Sequence, residues 1–232
     1  MKSMINLIAR VLLTAISMLL ITNCNEDEIG NATVKDSDGN LYHTVKIGNQ
    51  VWMVENLKTT KFRDGSTIPN VSDNSTWGNY GILNNGAFCD YNNTATYSNT
   101  YGKLYNWYAV TDERNICPTG WHVPTNAEWE ALISFLGGQT VAGGLMKEKG
   151  TTHCSGSNNG ATNSSGFTAI PGGCRQVENG MFYGNGTSCT WWSYSEINVQ
   201  TAWYCQLYFN QTSINRMAFD KASGCSVRLI KD

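Results

Sequence analysis

The chain has no two cysteines in a C-x-x-C spacing, and its only histidines are His43, His122 and His153. Structural zinc sites normally draw their ligands in short pairs, so no metal is expected, and nothing points to a cofactor. Charge is scarce: 15% of residues are charged, and the formal net charge is −2. Nothing here would draw a polyanion, so nucleic acid is excluded as a partner. The apolar run Val11–Ile21 is shorter than the roughly 20 residues a membrane span needs.

That run belongs to a leader. Residues 1–23 begin with Lys2 and Arg10 as the only charges, pass through the apolar run and reach "LITNC". This is the basic start and short apolar centre of an export signal. Its end resembles the lipobox of bacterial lipoproteins, in which the leader is cut before the cysteine and the thiol is acylated. Cys24 is then the lipid attachment site and the membrane is reached through that lipid. An ordinary secretory peptide cut nearby is the other reading. The acidic "NEDE" after Cys24 resembles the tract that sends lipoproteins to the cell surface, which implies a surface-exposed outer-membrane protein in the cell envelope. Residues 24–33 read as a lipidated tether, and 34–232 as one domain.

Without Lys2 and Arg10 the 16 basic side chains fall to 14, against 18 acidic ones. Aromatics reach 11%, and all eight tryptophans follow Cys24. A disordered chain would lack them. The polar, weakly charged remainder fits an extracytoplasmic all-β or α+β domain with long loops.

Several elements can be placed. In "DSDGNLYHTVKIGNQVWM", Asp38–Gly39 and Gly48–Asn49 are turn signals between runs of β-formers, so consecutive short strands are expected. "DSDG" lacks the further ligands and closing Glu of a calcium loop. Asp64–Thr100 reads as loop. Leu104, Trp107, Tyr108 and Thr111 fall at helical spacing, which predicts a short helix ending near Asp112. In "CPTGWHVPTNAEWEAL", Thr125 and Glu128 form a capping box, and Gly137–Gly138 a stop. A helix over Thr125–Leu136 follows, with Trp129, Leu132, Ile133 and Leu136 on its apolar face. Cys117 and His122 then sit in the turn leading into that helix. A Cys–His nucleophile would also need an oxyanion hole and a third orienting group, and none is visible. His122 is expected to hold the turn by a hydrogen bond, and no catalytic residue is assigned.

Six ordered blocks carry a family resemblance: "TVKIGNQVWMVENLKTT", "YGKLYNWYAV", "CPTGWHVPTNAEWEAL", "GATNSSGFTAIPGG", "WWSYSE" with "AWY", and "SVRLIKD". Together they resemble the Fibrobacter succinogenes major paralogous domain (FISUMP). The resemblance implies an exported bacterial domain, often a lipoprotein. It also implies an α+β, C-type lectin-like fold related to the sulfatase-modifying factors, with a small twisted antiparallel sheet, about two helices and long loops. The family brings no established activity. Its usual last-strand cysteine is Leu229 here, while Cys225 lies four residues earlier and Cys174 follows "PGG", where an aromatic is common. Alternation puts Cys225, Val227 and Leu229 on one strand face. "FTAI", before Cys174, also reads as strand. Cys174 and Cys225 are therefore expected close together, either as a disulfide or as two thiols filling core.

Three functions fit. The first is a noncatalytic module binding a glycan or a surface protein, or serving a structural role. Its candidate ligand residues are Trp77, Tyr80, Tyr91, Tyr97 and Tyr101, aromatics set among Asn and Thr. The triplets of calcium-dependent sugar binding are absent. The second is an enzyme like the sulfatase-modifying factors, which needs two neighbouring late cysteines; Cys205 and Cys225 stand twenty apart. The third is a subunit of a surface assembly.

Overall fold

The computed structural model describes residues 33–177 and 179–232. Residues 1–32, on which the expected leader, the expected lipid attachment at Cys24 and most of the expected tether fall, lie outside the described residues.

Strands β1 (Thr33–Lys35), β2 (Leu41–Ile47) and β3 (Gln50–Met53) open the domain. Asp36 builds the first turn, its Oδ1 accepting from the Asp38 and Asn40 N–H groups at 2.9 Å each. Its Oδ2 accepts from the Tyr42 hydroxyl at 2.6 Å. "DSDG" is thus an Asx-type turn. Gly48, at φ +61°, makes the second turn.

Residues 64–100, expected as loop, carry helix α1 (Asn74–Ile82), strand β4 (Phe88–Cys89), a 3₁₀ turn at Tyr91–Asn93 and helix α2 (Ala95–Tyr101). Their Asn- and Gly-rich composition hid them, because these residues are poor helix formers. The cap supplies the missing signal: Asp73 accepts from the Thr76 N–H at 2.8 Å. Strand β5 (Leu104–Tyr105) and the one-turn helix α3 (Trp107–Val110) follow. The expected helix is therefore shorter, and Leu104 sits in a ribbon opposite Cys89.

Strand β6 (Trp121–His122) leads into α4 (Asn126–Phe135). Here the capping box is complete: the Glu128 N–H donates to Thr125 Oγ1 at 3.3 Å, and Glu128 Oε2 accepts from the Thr125 N–H at 2.7 Å. A short α5 (Ala142–Met146) is followed by Phe167–Ile170, which makes only one bridge, Ala169 to Lys147, and is not a strand. Thr168, at φ +54°, breaks the extended run. The chain closes with β7 (Gly172–Arg175), β8 (Phe182–Asn185), β9 (Ser188–Glu196), β10 (Thr201–Tyr208), β11 (Ile214–Asp220) and β12 (Ile230–Lys231).

The fold is mixed α+β and mostly sheet. Among the described residues it holds two five-stranded sheets and a β4–β5 ribbon, where one small sheet was expected. The orders are β1-β2-β3-β12-β6 and β11-β10-β9-β7-β8. All pairings are antiparallel except β7 with β9. Consecutive side chains of a strand point to opposite faces, and three adjacent pairs use this to feed two cores. Met53, Trp192 and Leu229 enter one core with Tyr42, Phe62 and Val227. Trp52, Trp191 and Ile230 enter the other with Trp129, Leu132 and Phe167. In the second core the Trp52 and Trp129 ring centroids lie 4.8 Å apart, and Phe167 meets Trp191 edge-on at 5.7 Å. Among the described residues no helix is long and apolar enough to cross a membrane.

Candidate ligand-binding face

The loop aromatics separate into two groups. Trp77 is core, 1% exposed; its Nε1 donates to the Ala222 carbonyl at 2.7 Å and Arg175 stacks on its ring. It cannot meet a ligand, which corrects its place among the candidates. Tyr80 is half-buried on α1 and packs, with Tyr97 and Phe182, on a third, smaller core of Val71, Trp77, Ala87, Cys89, Tyr91 and Leu104. Tyr91, Tyr97 and Tyr101 come together. Tyr97 lies 5.4 Å from Tyr91 and stacks on Tyr101 at 6.1 Å with the ring planes 29° apart. Phe182 extends the row beyond Tyr91 at 5.3 Å, and His153 meets Tyr101 edge-on at 5.8 Å. Tyr91 is only 8% exposed and forms the floor, while Tyr97, Tyr101 and His153 are half-buried and reach the surface.

Two glycines allow this row to form. Gly102 ends α2 at φ +77°, and a Cβ there would lie 2.7 Å from the Asn56 Cβ. Asn56 in turn donates from Nδ2 to the Tyr101 carbonyl at 2.9 Å. Gly173, at φ +69°, leaves room for the Tyr91 ring, whose Cε2 would stand 2.8 Å from an added Cβ. Both positions need the left-handed backbone and a missing side chain. Sequence reasoning missed Phe182 and His153, because each is remote in the chain from the three tyrosines. Burial pushes the pKa of the Tyr91 and Tyr101 hydroxyls up, so both stay neutral donors at physiological pH.

Cys117 and His122 border a different hollow, a pocket of about 390 Å³ shared with Asp112, Thr125 and Tyr194. They do not form a nucleophile–base couple. Burial pushes the Cys117 thiol up to about 12, which leaves no thiolate near neutral pH. Both His122 ring nitrogens are occupied, Nε2 by Glu128 Oε1 at 2.8 Å and Nδ1 by Asp232 Oδ1 at 2.7 Å. The histidine thus ties β6, the start of α4 and Asp232 together. Among the described residues no group of three or more His, Cys, Asp or Glu could hold a metal ion. Cys205 and Cys225, the pair an oxidative enzyme would need, lie in different cores.

The model of the Fibrobacter succinogenes major domain matches residues 45–231. The chain belongs to this family. No curated protein and no solved structure matches it. The matched span holds both sheets from Val45 of β2 onward and the whole tyrosine row, so this Fibrobacter-type domain carries the candidate face within its own boundaries.

Proposed function

We propose that this protein is a noncatalytic binding module of an exported lipoprotein, held at the outer surface of the cell envelope by a lipid on Cys24, and that its ligand is a glycan. The observation that carries the glycan reading is the row Tyr91–Tyr97–Tyr101–His153. Flat rings stack on sugar faces, while phenol hydroxyls and nearby amides hydrogen-bond sugar hydroxyls. Asn99 and Thr100 on α2 are exposed beside the row. A rigid ring loses little conformational freedom on binding, and these rings are already fixed by one another. The lipobox-like "LITNC" and the acidic residues after it support the anchoring and surface placement.

A relation to C-type lectin-like and sulfatase-modifying-factor folds is part of the same proposal. Short helices and long loops around curled sheets support it. The lectin half is favoured over the enzymatic half because Cys205 and Cys225 are buried in different cores and burial suppresses the Cys117 and Cys225 thiolates. A structural or protein-binding role in a surface assembly is the reading to which a negative glycan result would lead.

The test is a glycan array probed with the full chain in detergent, beside Tyr97→Ala and Tyr101→Ala. Binding to at least one glycan class is expected, weakened in both variants with the thermal midpoint little changed. Base-independent stacking on an aromatic is worth about 1–3 kcal/mol in nucleic-acid sites, and a loss of similar order is expected here. Absence of any glycan binding sinks the reading.

A further inference from the structure

A second hollow opens close to the end of the tyrosine row. It has a volume of about 170 Å³ and is walled by three loops that carry Ser155 and Ser157, Gly186 and Thr187, and Tyr208 to Asn210. None of its lining residues carries an ionisable acid or base of ordinary pKa near neutrality. Ser157, Tyr208 and Asn210 are exposed, and among the described residues their side chains make no internal hydrogen bond.

The three loops are stitched together. Ser155 donates its N–H to the Gly186 carbonyl at 2.9 Å, and Phe209 donates to the Thr187 carbonyl at 2.9 Å. Beneath them lies Lys147, fully buried, with its ammonium on the carbonyls of Asn159 at 2.5 Å, Gln211 at 2.9 Å and Phe209 at 3.1 Å. Asn159 adds its own bond to the Asn210 carbonyl at 2.8 Å. A buried cation that satisfies loop carbonyls fixes the shape of the hollow before any ligand arrives, and such preorganisation favours binding.

Two of the segments that wall the hollow also border the row. His153, the last ring, is two residues from Ser155, a span of about 7 Å of extended chain at most. The Gly186 loop follows directly on Asn185, whose side chain lies near Tyr101 and donates to the Pro171 carbonyl at 3.2 Å. We infer that the hollow is an end subsite for an uncharged sugar, whose neighbouring units run along Tyr101 and Tyr97. This rests on the glycan reading above and deepens it by naming the ligand class: a neutral glycan recognised at a terminus. Unpaired hydroxyl and amide groups around a wall without charge match sugar hydroxyls, and offer nothing to a carboxylate or sulfate.

The experiment compares neutral, sialylated and sulfated glycans on an array, using the full chain in detergent and three variants. Ser157→Trp fills the hollow from an exposed position, Asn210→Ala removes one amide, and Tyr97→Ala tests the row. Hits should be uncharged glycans. Titration of a hit should show affinity lowered about tenfold or more in each hollow variant, the loss expected from one or two hydrogen bonds, at unchanged thermal midpoint. Hits that bind Ser157→Trp and Asn210→Ala as tightly as the parent, yet lose Tyr97→Ala, overturn the subsite and leave the glycan reading standing. Hits confined to acidic glycans overturn the neutral class. An array without hits overturns both.

Discussion

Arg228 and Asn56 are joined in the interior: the Nε and Nη2 of Arg228 both donate to Asn56 Oδ1, at 3.1 and 2.9 Å. The same oxygen accepts from Trp191 Nε1 at 2.8 Å. The remaining arm, Nη1, reaches the carbonyls of Phe167 at 2.7 Å and Met53 at 3.2 Å. No carboxylate is among these partners. Burial pulls the guanidinium pKa down to about 10, so it stays charged at neutral pH. Arg228 thereby links the last segment to β3, β9 and the loop that carries Phe167. Arg175 plays the same part elsewhere, donating to Val71, Ser72 and Gly180 carbonyls.

Arg228→Lys should be strongly destabilising, because an ammonium cannot reproduce the planar fork. Two buried carbonyls left without a donor cost about 1–3 kcal/mol each. A loss of about 3 kcal/mol or more is expected, read from the midpoint of urea unfolding. A variant with the parent's midpoint would show that these bonds add nothing net.

The His122 clamp should make stability depend on pH in a set direction. Burial opposes the imidazolium, but the bonds from Asp232 and Glu128 outweigh it and raise the His122 pKa. Burial likewise opposes the Glu128 carboxylate, and the Thr125 and His122 bonds outweigh it and lower that pKa. A raised histidine pKa contributes stability fully below the unfolded value of about 6.5 and loses it as pH rises through the folded value. A lowered Glu128 pKa contributes above the unfolded value of about 4.3 and loses it as pH falls through the folded one. The stability gap between the parent and His122→Gln should therefore be widest around pH 5–6 and narrow above it. A gap that grows from pH 6 to 9 would contradict the clamp. Thr125→Ala should separately cost about 1 kcal/mol through the lost cap.

Cys174 and Cys225 face each other by register. Arg175 and Gly224 exchange both backbone hydrogen bonds, at 2.9 and 2.8 Å. The next rung places Cys174 opposite Cys225 in the closer, non-hydrogen-bonded type of pair, with Cα atoms about 4.5 Å apart. That lies within the range a disulfide can span. No disulfide joins the cysteines of the described residues. Burial holds the Cys225 thiol well above its ordinary pKa, which makes it a poor nucleophile once folded. Refolding in a glutathione redox buffer should therefore bridge this pair, while the folded reduced protein should resist the same buffer. Peptide mapping by mass spectrometry would decide; a bridge between any other two cysteines would rule the pairing out.

Cys24→Ala should release the protein from the membrane fraction or block its processing. The described domain offers no membrane-crossing helix to replace the lipid. Unchanged membrane attachment of that variant would remove the lipoprotein assignment.

Some of this was legible in the chain itself. The capping box of Thr125 and Glu128 and the glycine stop are local, so α4 could be read with both ends. The turns at Gly39 and Gly48 and the strands beside them obey the same rule, since hydrogen bonds within a few residues determine them. The order of the six family blocks was likewise enough to place the domain. Tertiary structure decided the rest. Trp77 reads like its loop neighbours, and only packing against Arg175 and Ala222 makes it core. The strands of the two sheets pair across long separations, as Trp52 with Ile230 shows, and no local pattern encodes such partners. Adjacent tryptophans 191 and 192 could be assigned to opposite faces by alternation, yet which core each fills depends on what the chain lays on either side. The tyrosine row follows the same logic: Tyr91, Tyr97 and Tyr101 are near in sequence, but Phe182 and His153 join them from remote segments, and Gly173 leaves the room in which the β8 backbone closes on Tyr91.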